Sequence, residues 1–165
     1  AWGCVGMLAV LTACVGAAQA EPRSPMLDLS MMTFVASQGD ESEVTVLAEQ
    51  AHFDTARDVA SLTEVRATVS GGGDDVYFEM TCDRGELDVA TNDFLAEGSV
   101  EGSLGSGMKF FVDWVRYDHE KALLYTDAPV VIKEPVGTYR GGGFRYDVQH
   151  RRFRLLGGAS MVQEP

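Results

Sequence analysis

Cysteine is scarce in this chain of 165 residues: Cys4 and Cys14 lie in an uncharged N-terminal stretch, and Cys82 stands alone in the remainder. One cysteine offers no internal disulfide. Nothing around Cys82 would obviously lower its pKa, so a buried structural thiol is expected rather than a nucleophile. Cations are also few, 13 Lys and Arg against 25 Asp and Glu, a formal net charge of −12. That balance argues against nucleic acid, whose phosphates need Lys/Arg neutralisation, and against a basic membrane-surface patch. The plain expectation is a solvated acidic exterior. The three histidines, His52, His119 and His150, sit beside aspartates without the converging spacing of a metal site. There is no G-x-S-x-G, no Ser/His/Asp set in a strand–helix context and no suggestive Cys/His pair. The glycine run from Gly102 to Gly107 has no helix after it, so it reads as a hairpin turn and not a phosphate loop. Neither catalysis, a metal nor a cofactor is expected.

The N-terminus is where apolar residues run together. Ala1 to Ala20 carry no charge, and Glu21, Pro22 and Arg23 follow. Trp2 to Ala20 would span about 28 Å as a helix, just enough for a bilayer core of ~30 Å. Three readings stay open: an uncleaved single-span anchor, a secretory signal cleaved after Ala18-Gln19-Ala20, and a lipoprotein signal with Cys14 as the lipidated residue. All three place the following domain outside the cytoplasm. Glu21 to Pro25 reads as a linker, and 26–163 as the folded domain.

Within that domain one pattern occurs four times. Asp54, Asp88, Asp118 and Asp147 recur at intervals of 34, 30 and 29 residues. Eight residues before them stand Val46, Met80, Phe110 and Tyr139, and six before stand Ala48, Cys82, Val112 and Gly141. Three before come Ala51, Gly85, Val115 and Phe144, and one before come Phe53, Leu87, Tyr117 and Tyr146. Six residues after come Ala60, Phe94, Leu124 and Phe153. A period of this length marks stacked supersecondary units that share a core. The minus-eight and minus-six residues share one face, as do the minus-three and minus-one residues. A bulge or corner must therefore break the phase between the two pairs. The aspartates suit turns, because Asp bonds its own backbone.

Met26 to Gln38 reads as a leading strand, since its apolar residues lack helical spacing. Turns are expected at Gly39-Asp40-Glu41, Gly71 to Asp75, Gly102 to Gly107, Glu134 to Gly137 and Gly157-Gly158. Inside the fourth repeat, Gly141-Gly142-Gly143 would allow a sharp bend. The pattern indicates an all-β sandwich, roll or barrel. Its interior face would carry Val46, Ala48, Phe53, Met80, Leu87, Phe110, Val112, Tyr117, Tyr139, Tyr146 and Phe153. Such a face is either a closed core or an open trough for an apolar ligand.

Several segments together resemble a known family. Val46-Leu47-Ala48-Glu49-Gln50-Ala51-His52-Phe53-Asp54 is similar to L-x-A-x-x-A-x-Y-D, and Cys82-Asp83-Arg84-Gly85-Glu86-Leu87-Asp88 to A-D-x-G-x-x-D. Leu62-Thr63-Glu64-Val65 lies between these two, and Gly98-Ser99-Val100 after them is similar to the group's G-x-V step. Val115-Arg116-Tyr117-Asp118 with Thr126-Asp127-Ala128-Pro129-Val130 resembles L-x-Y-D…T-D-x-P-V, and the segment Arg140 to Asp147 resembles the closing G-x-G-x-x-x-D. In order and spacing, from about Met26 to Val162, these resemble the lipopolysaccharide transport protein C (LptC) family of the OstA-like group.

The resemblance implies a twisted β-jelly roll, open along one side and preceded by one apolar N-terminal helix in the inner membrane. It implies a periplasmic, non-enzymatic carrier that binds lipopolysaccharide acyl chains in the interior trough, at the eleven interior residues named above. Lipid would come from an inner-membrane ABC transporter complex. It would pass to a periplasmic bridge jelly roll by edge-strand pairing, and the ligand's phosphates would be kept in solvent by the acidic chain. The alternative is a structural β-repeat scaffold with a closed core and no lipid ligand.

Overall fold

The computed structural model describes residues 26–38, 42–71 and 76–162. The apolar N-terminal segment, the 21–25 linker and the Gly39–Glu41 turn lie outside the described residues. The described chain forms twelve strands in one antiparallel sheet: β1 (Met26–Gln38), β2 (Ser42–Asp54), β3 (Val59–Gly71), β4 (Val76–Asp88), β5 (Asp93–Leu104), β6 (Lys109–Asp118), β7 (Leu123–Thr126), β8 (Val130–Glu134), β9 (Gly137–Gly141), β10 (Gly143–Asp147), β11 (Arg152–Leu156) and β12 (Ser160–Val162). The leading strand begins at Met26, as its spacing predicts.

Each repeat aspartate ends a strand, β2, β4, β6 or β10. Asp54 Oδ1 accepts from Ala56 N and Arg57 N, and Asp88 Oδ1 from Ala90 N and Thr91 N. Asp118 and Asp147 accept from Lys121 N and His150 N. Four residues after each aspartate the backbone turns left-handed, at Asp58, Asn92, Ala122 and Arg151, with φ of 54°, 62°, 48° and 51°. Four-residue hairpin loops use this geometry to reverse the chain. The four turns also stack. Asp58 O accepts from Val89 N, Asp93 Oδ1 from His119 N, and Ala122 O from Val148 N.

The phase break falls where the repeat requires it. In β2 Val44, Val46 and Ala48 are buried, Glu49 and Gln50 are both exposed, and Ala51 is buried again. In β6 the break falls between Val112 and Val115. The partner strands turn through positive φ at Met31, Glu64 and Gly98-Ser99. The register is unchanged across the first two, and β5 alone takes up an extra residue there, the ladder slipping at Thr81/Arg84 and Glu97/Val100. Such bulges bend a strand and strengthen its twist. In the last third the same line of bending becomes a full break, separating β7 from β8, β9 from β10 at Gly142, and β11 from β12.

The sheet is thereby folded into two arms. The arm that carries the aspartate turns is made of the turn-side halves of β1 to β6 with β7, β10 and β11, and the second arm of the far halves of β1 to β6 with β8, β9 and β12. The arms meet face to face through Phe78 and Tyr146, with ring centroids 5.9 Å apart, and through Phe110 and Phe144, 5.0 Å apart. This is the all-β, jelly-roll-like open sheet that the resemblance implies.

Two expected turns shift at their first residues: the turn after β5 is at Gly105 to Gly107, and 72–75 lie outside the described residues. Gly102 lies within β5, not in a turn, and Gly71 closes β3 as a buried residue. Both are glycine for space. A Cβ on Gly102 would sit 2.1 Å from Phe110 Cζ, and one on Gly71 would sit 1.6 Å from the Tyr77 hydroxyl.

Candidate functional site

The fold gathers all eleven interior residues onto one continuous surface. Val46, Ala48, Met80, Leu87, Phe110, Val112, Tyr117 and Tyr146 are buried in a single cluster, and Phe53, Tyr139 and Phe153 pack against it half-buried. Strand alternation and the corner together explain this, because both repeat pairs end up facing the concavity of the bent sheet.

The lining is uneven along the roll. Toward β1–β3 it is thin, with Ala36, Ala48, Ala51, Ala60 and Ala67 all buried. Toward β4–β11 it is filled by rings. Phe78 stacks on Phe110 at 5.7 Å, Phe110 meets Phe144 at 5.0 Å, and Phe144 stacks on Phe153 at 5.0 Å. Offset and tilted pairs at these separations add ~0.5–1.5 kcal/mol each beyond burial. Sequence reasoning left Phe78 and Phe144 out of the site. Phe144 occupies a repeat position that elsewhere holds Ala51, Gly85 or Val115, and Phe78 precedes the repeat; neither position signals a ring.

Burial sets the chemistry of the interior's polar groups. Cys82 is pushed up to about 11, foremost by burial, and its Sγ donates to Arg84 O at 3.1 Å. It is the inert structural thiol its setting predicts. The Tyr117 hydroxyl is pushed up to about 12 by burial and then by Asp93 and Asp118. The histidines serve the surface. His52 Nδ1 lies 2.5 Å from Asp28 Oδ1 across β1–β2, and His150 Nδ1 lies 2.7 Å from Asp147 Oδ2. Among the described residues no group of His, Cys, Asp and Glu converges as metal ligands would.

The interior surfaces in two places. Along β1 the inward residues are poorly covered: Leu27 is 48% exposed and Leu29 37%, while Met32 and Phe34 are half-buried. Among the described residues β1 bonds only to β2, and at the opposite end β11 bonds only to β10 and β12 only to β9. The second opening is a cleft of about 370 Å³ between the free ends of the two arms. It is lined by Val76, Tyr77 and Leu104 to Ser106 from one arm and by Tyr146 and Arg151 from the other.

Among the described residues, a bent antiparallel sheet with an apolar concavity and open ends defines a jelly-roll-like open β-roll. The chain aligns with LptH, described as the LptA homologous periplasmic component of the conserved lipopolysaccharide transport device from Pseudomonas aeruginosa. The TM-score is 0.56 at 16% identity, covering 74% of this chain and 95% of that one. At that identity the likeness shows the fold alone. No curated protein matches it significantly in sequence. The family is settled by a different comparison: residues 6–164 match the family described as "Lipopolysaccharide-assembly, LptC-related", and the chain belongs to that family. Its work lies in lipopolysaccharide transport. No helix among the described residues is long and apolar enough to cross a membrane.

Proposed function

We propose that the chain is a non-enzymatic carrier of lipopolysaccharide in the periplasm, held at the inner membrane by its apolar N-terminal segment. It takes lipid from an inner-membrane ABC transporter complex and relays it to a periplasmic bridge protein of the same roll architecture. The acyl chains occupy the concavity lined by the eleven interior residues, where each buried CH₂ contributes about 0.8 kcal/mol. The chain has no nucleotide-binding motif, so the driving energy comes from the transporter. The observation that carries this reading is the uncovered apolar lip of β1, where Leu27 is 48% exposed beside the buried interior. An unpaired edge is ordinarily an aggregation hazard. Here the terminal strands serve partner rolls by β-augmentation, in which backbone bonds supply the affinity.

Photo-crosslinking in membranes tests the assignment, with probes at Phe110 and Tyr117 inside and Arg116 outside. Arg116 is exposed between buried Val115 and Tyr117, so it is a one-residue control for face. Lipopolysaccharide adducts at the two interior sites and none at Arg116 are expected. Phe110→Arg or Tyr117→Arg should abolish loading, because an unpaired charge is costly to bury.

A closed scaffold is the second reading, and the tight interior favours it. Phe110 is 0% exposed between Phe78 and Phe144. An apolar dye separates the two. A carrier takes it up in competition with lipid, and a closed core excludes it.

A further inference from the structure

The slot between the free ends of the two arms is bridged by a cation. Arg151 belongs to the fourth aspartate turn and Tyr77 to the start of β4, so they approach from opposite arms. The Arg151 Cζ lies 3.6 Å from the centre of the Tyr77 ring, well inside cation–π range. Among the described residues Arg151 makes no ion pair, whereas Arg66 pairs with Glu79 and Arg145 with Asp127. The acid nearest to it in the chain, Asp147, is already engaged by His150 through both oxygens. Among the described residues the guanidinium is therefore held by an aromatic face, with no acid pairing it.

Its surroundings reverse the sign of the chain. Residues 137–162 hold five arginines and one acid, a net of 5 − 1 = +4, which leaves −12 − 4 = −16 on the remainder. Charges beyond about 8 Å are largely screened at physiological salt. An anion at the slot thus responds first to Arg151, the cation in its lining, rather than to the chain's total. Electrostatic repulsion of ligand phosphates, expected from the net charge, does not apply at this spot. Beside the cation the cleft of about 370 Å³ is lined by Val76, Tyr77, Leu104 and Tyr146, and the Tyr146 ring stacks in turn on Phe78 at 5.9 Å. A solvent-facing guanidinium over an apolar floor matches the two ends of an anionic amphiphile. Arg presents a planar fork suited to phosphate oxygens.

We propose that Arg151 is a headgroup anchor, binding the phosphate of an alkyl-bearing ligand whose tail enters the slot between Tyr77 and Tyr146. This rests on the carrier reading above and adds to it where the head of the ligand sits. Free phosphate offers the same anion without the tail, and the test separates the two.

The full chain in phosphatidylcholine nanodiscs is titrated calorimetrically with octyl phosphate, octyl glucoside and inorganic phosphate, subtracting empty discs. Octyl phosphate should bind about tenfold more tightly than octyl glucoside, the size of one charge-assisted hydrogen-bonded contact. Arg151→Gln should erase that preference while leaving octyl glucoside binding unchanged, and Arg151→Lys should keep part of it. Arg151 is exposed, so both variants should fold, and a thermal melt checks this. Equal binding of the two octyl probes, or a preference that survives Arg151→Gln, overturns the anchor and leaves the carrier standing. Inorganic phosphate binding as tightly as octyl phosphate overturns the role of the tail. Failure of both octyl probes to bind overturns the anchor and the carrier reading together.

Discussion

Gly102→Ala tests how tightly the interior is closed. Gly102 pairs across the ladder with Phe110, whose ring lies over it. An alanine Cβ would stand 2.1 Å from Phe110 Cζ, 2.2 Å from Cε1 and 2.9 Å from Cε2. Carbon atoms in contact sit at about 3.5 Å or more, so the ring must retreat by roughly 1.4 Å. It has little room to do so, with Phe78 at 5.7 Å and Phe144 at 5.0 Å. Overpacking a filled core costs about 1–3 kcal/mol, and the boxed ring places this case near the upper figure. At roughly 3–4 °C per kcal/mol for a domain of this size, thermal unfolding followed by circular dichroism should show Tm lower by about 10 °C. Gly105→Ala is the control. Its Cβ would meet nothing nearer than Val76 O at 3.5 Å, so Tm should stay within about 2 °C of wild type. Phe110→Leu introduced into Gly102→Ala should recover at least about 1 kcal/mol relative to the sum of the single changes. A Gly102→Ala protein that melts with the wild type would refute the closed stack and imply rings that slide aside easily. A lipid-accepting interior would need that plasticity, so the result bears on function either way.

Other expectations concern the turns and the thiol. Asp88→Ala removes the acceptor for Ala90 N and Thr91 N, both at 3.0 Å, and should cost about 1 kcal/mol in urea unfolding, with Asp88→Asn recovering most of it. Asp118 is held below the usual carboxylate range chiefly by the Lys121 side chain, and Asp147 chiefly by the His150 backbone N–H. A carboxylate with a lowered folded pKa stabilises the fold above its unfolded value of 3.8 and loses that contribution as pH falls through the folded pKa. Stability should therefore be level from neutrality to about pH 5 and fall below about pH 4, less steeply in Asp147→Asn, as read from urea midpoints against pH. Cys82, pushed up to about 11 and buried, should react with a thiol reagent at neutral pH only as fast as the domain opens. Rapid labelling without denaturant would contradict its burial.

The resemblance to the LptC family and the repeat both proved legible because each rests on local chemistry. An aspartate that caps its own turn is a four-residue event, and Asp54, Asp88, Asp118 and Asp147 each do it in the structure. The phase slip between Val112 and Val115 was equally readable, since strand alternation has a period of two and any departure must be a bulge. Gly102 and Gly71 were misread as turn residues. Glycine signals both a turn and a site where another group approaches closely, and only the position of the Phe110 and Tyr77 rings distinguishes the two.

By itself, then, the amino-acid order determined the leading strand, the four aspartate turns, the inward face and the family, because these follow from neighbours within a few residues. Tertiary structure alone decided how the two arms meet. Phe78 and Tyr146 are 68 positions apart and Tyr77 and Arg151 are 74, yet each pair spans the slot in contact. Such contacts depend on the summed bend of successive bulges, a property of the whole sheet that no local window of sequence contains.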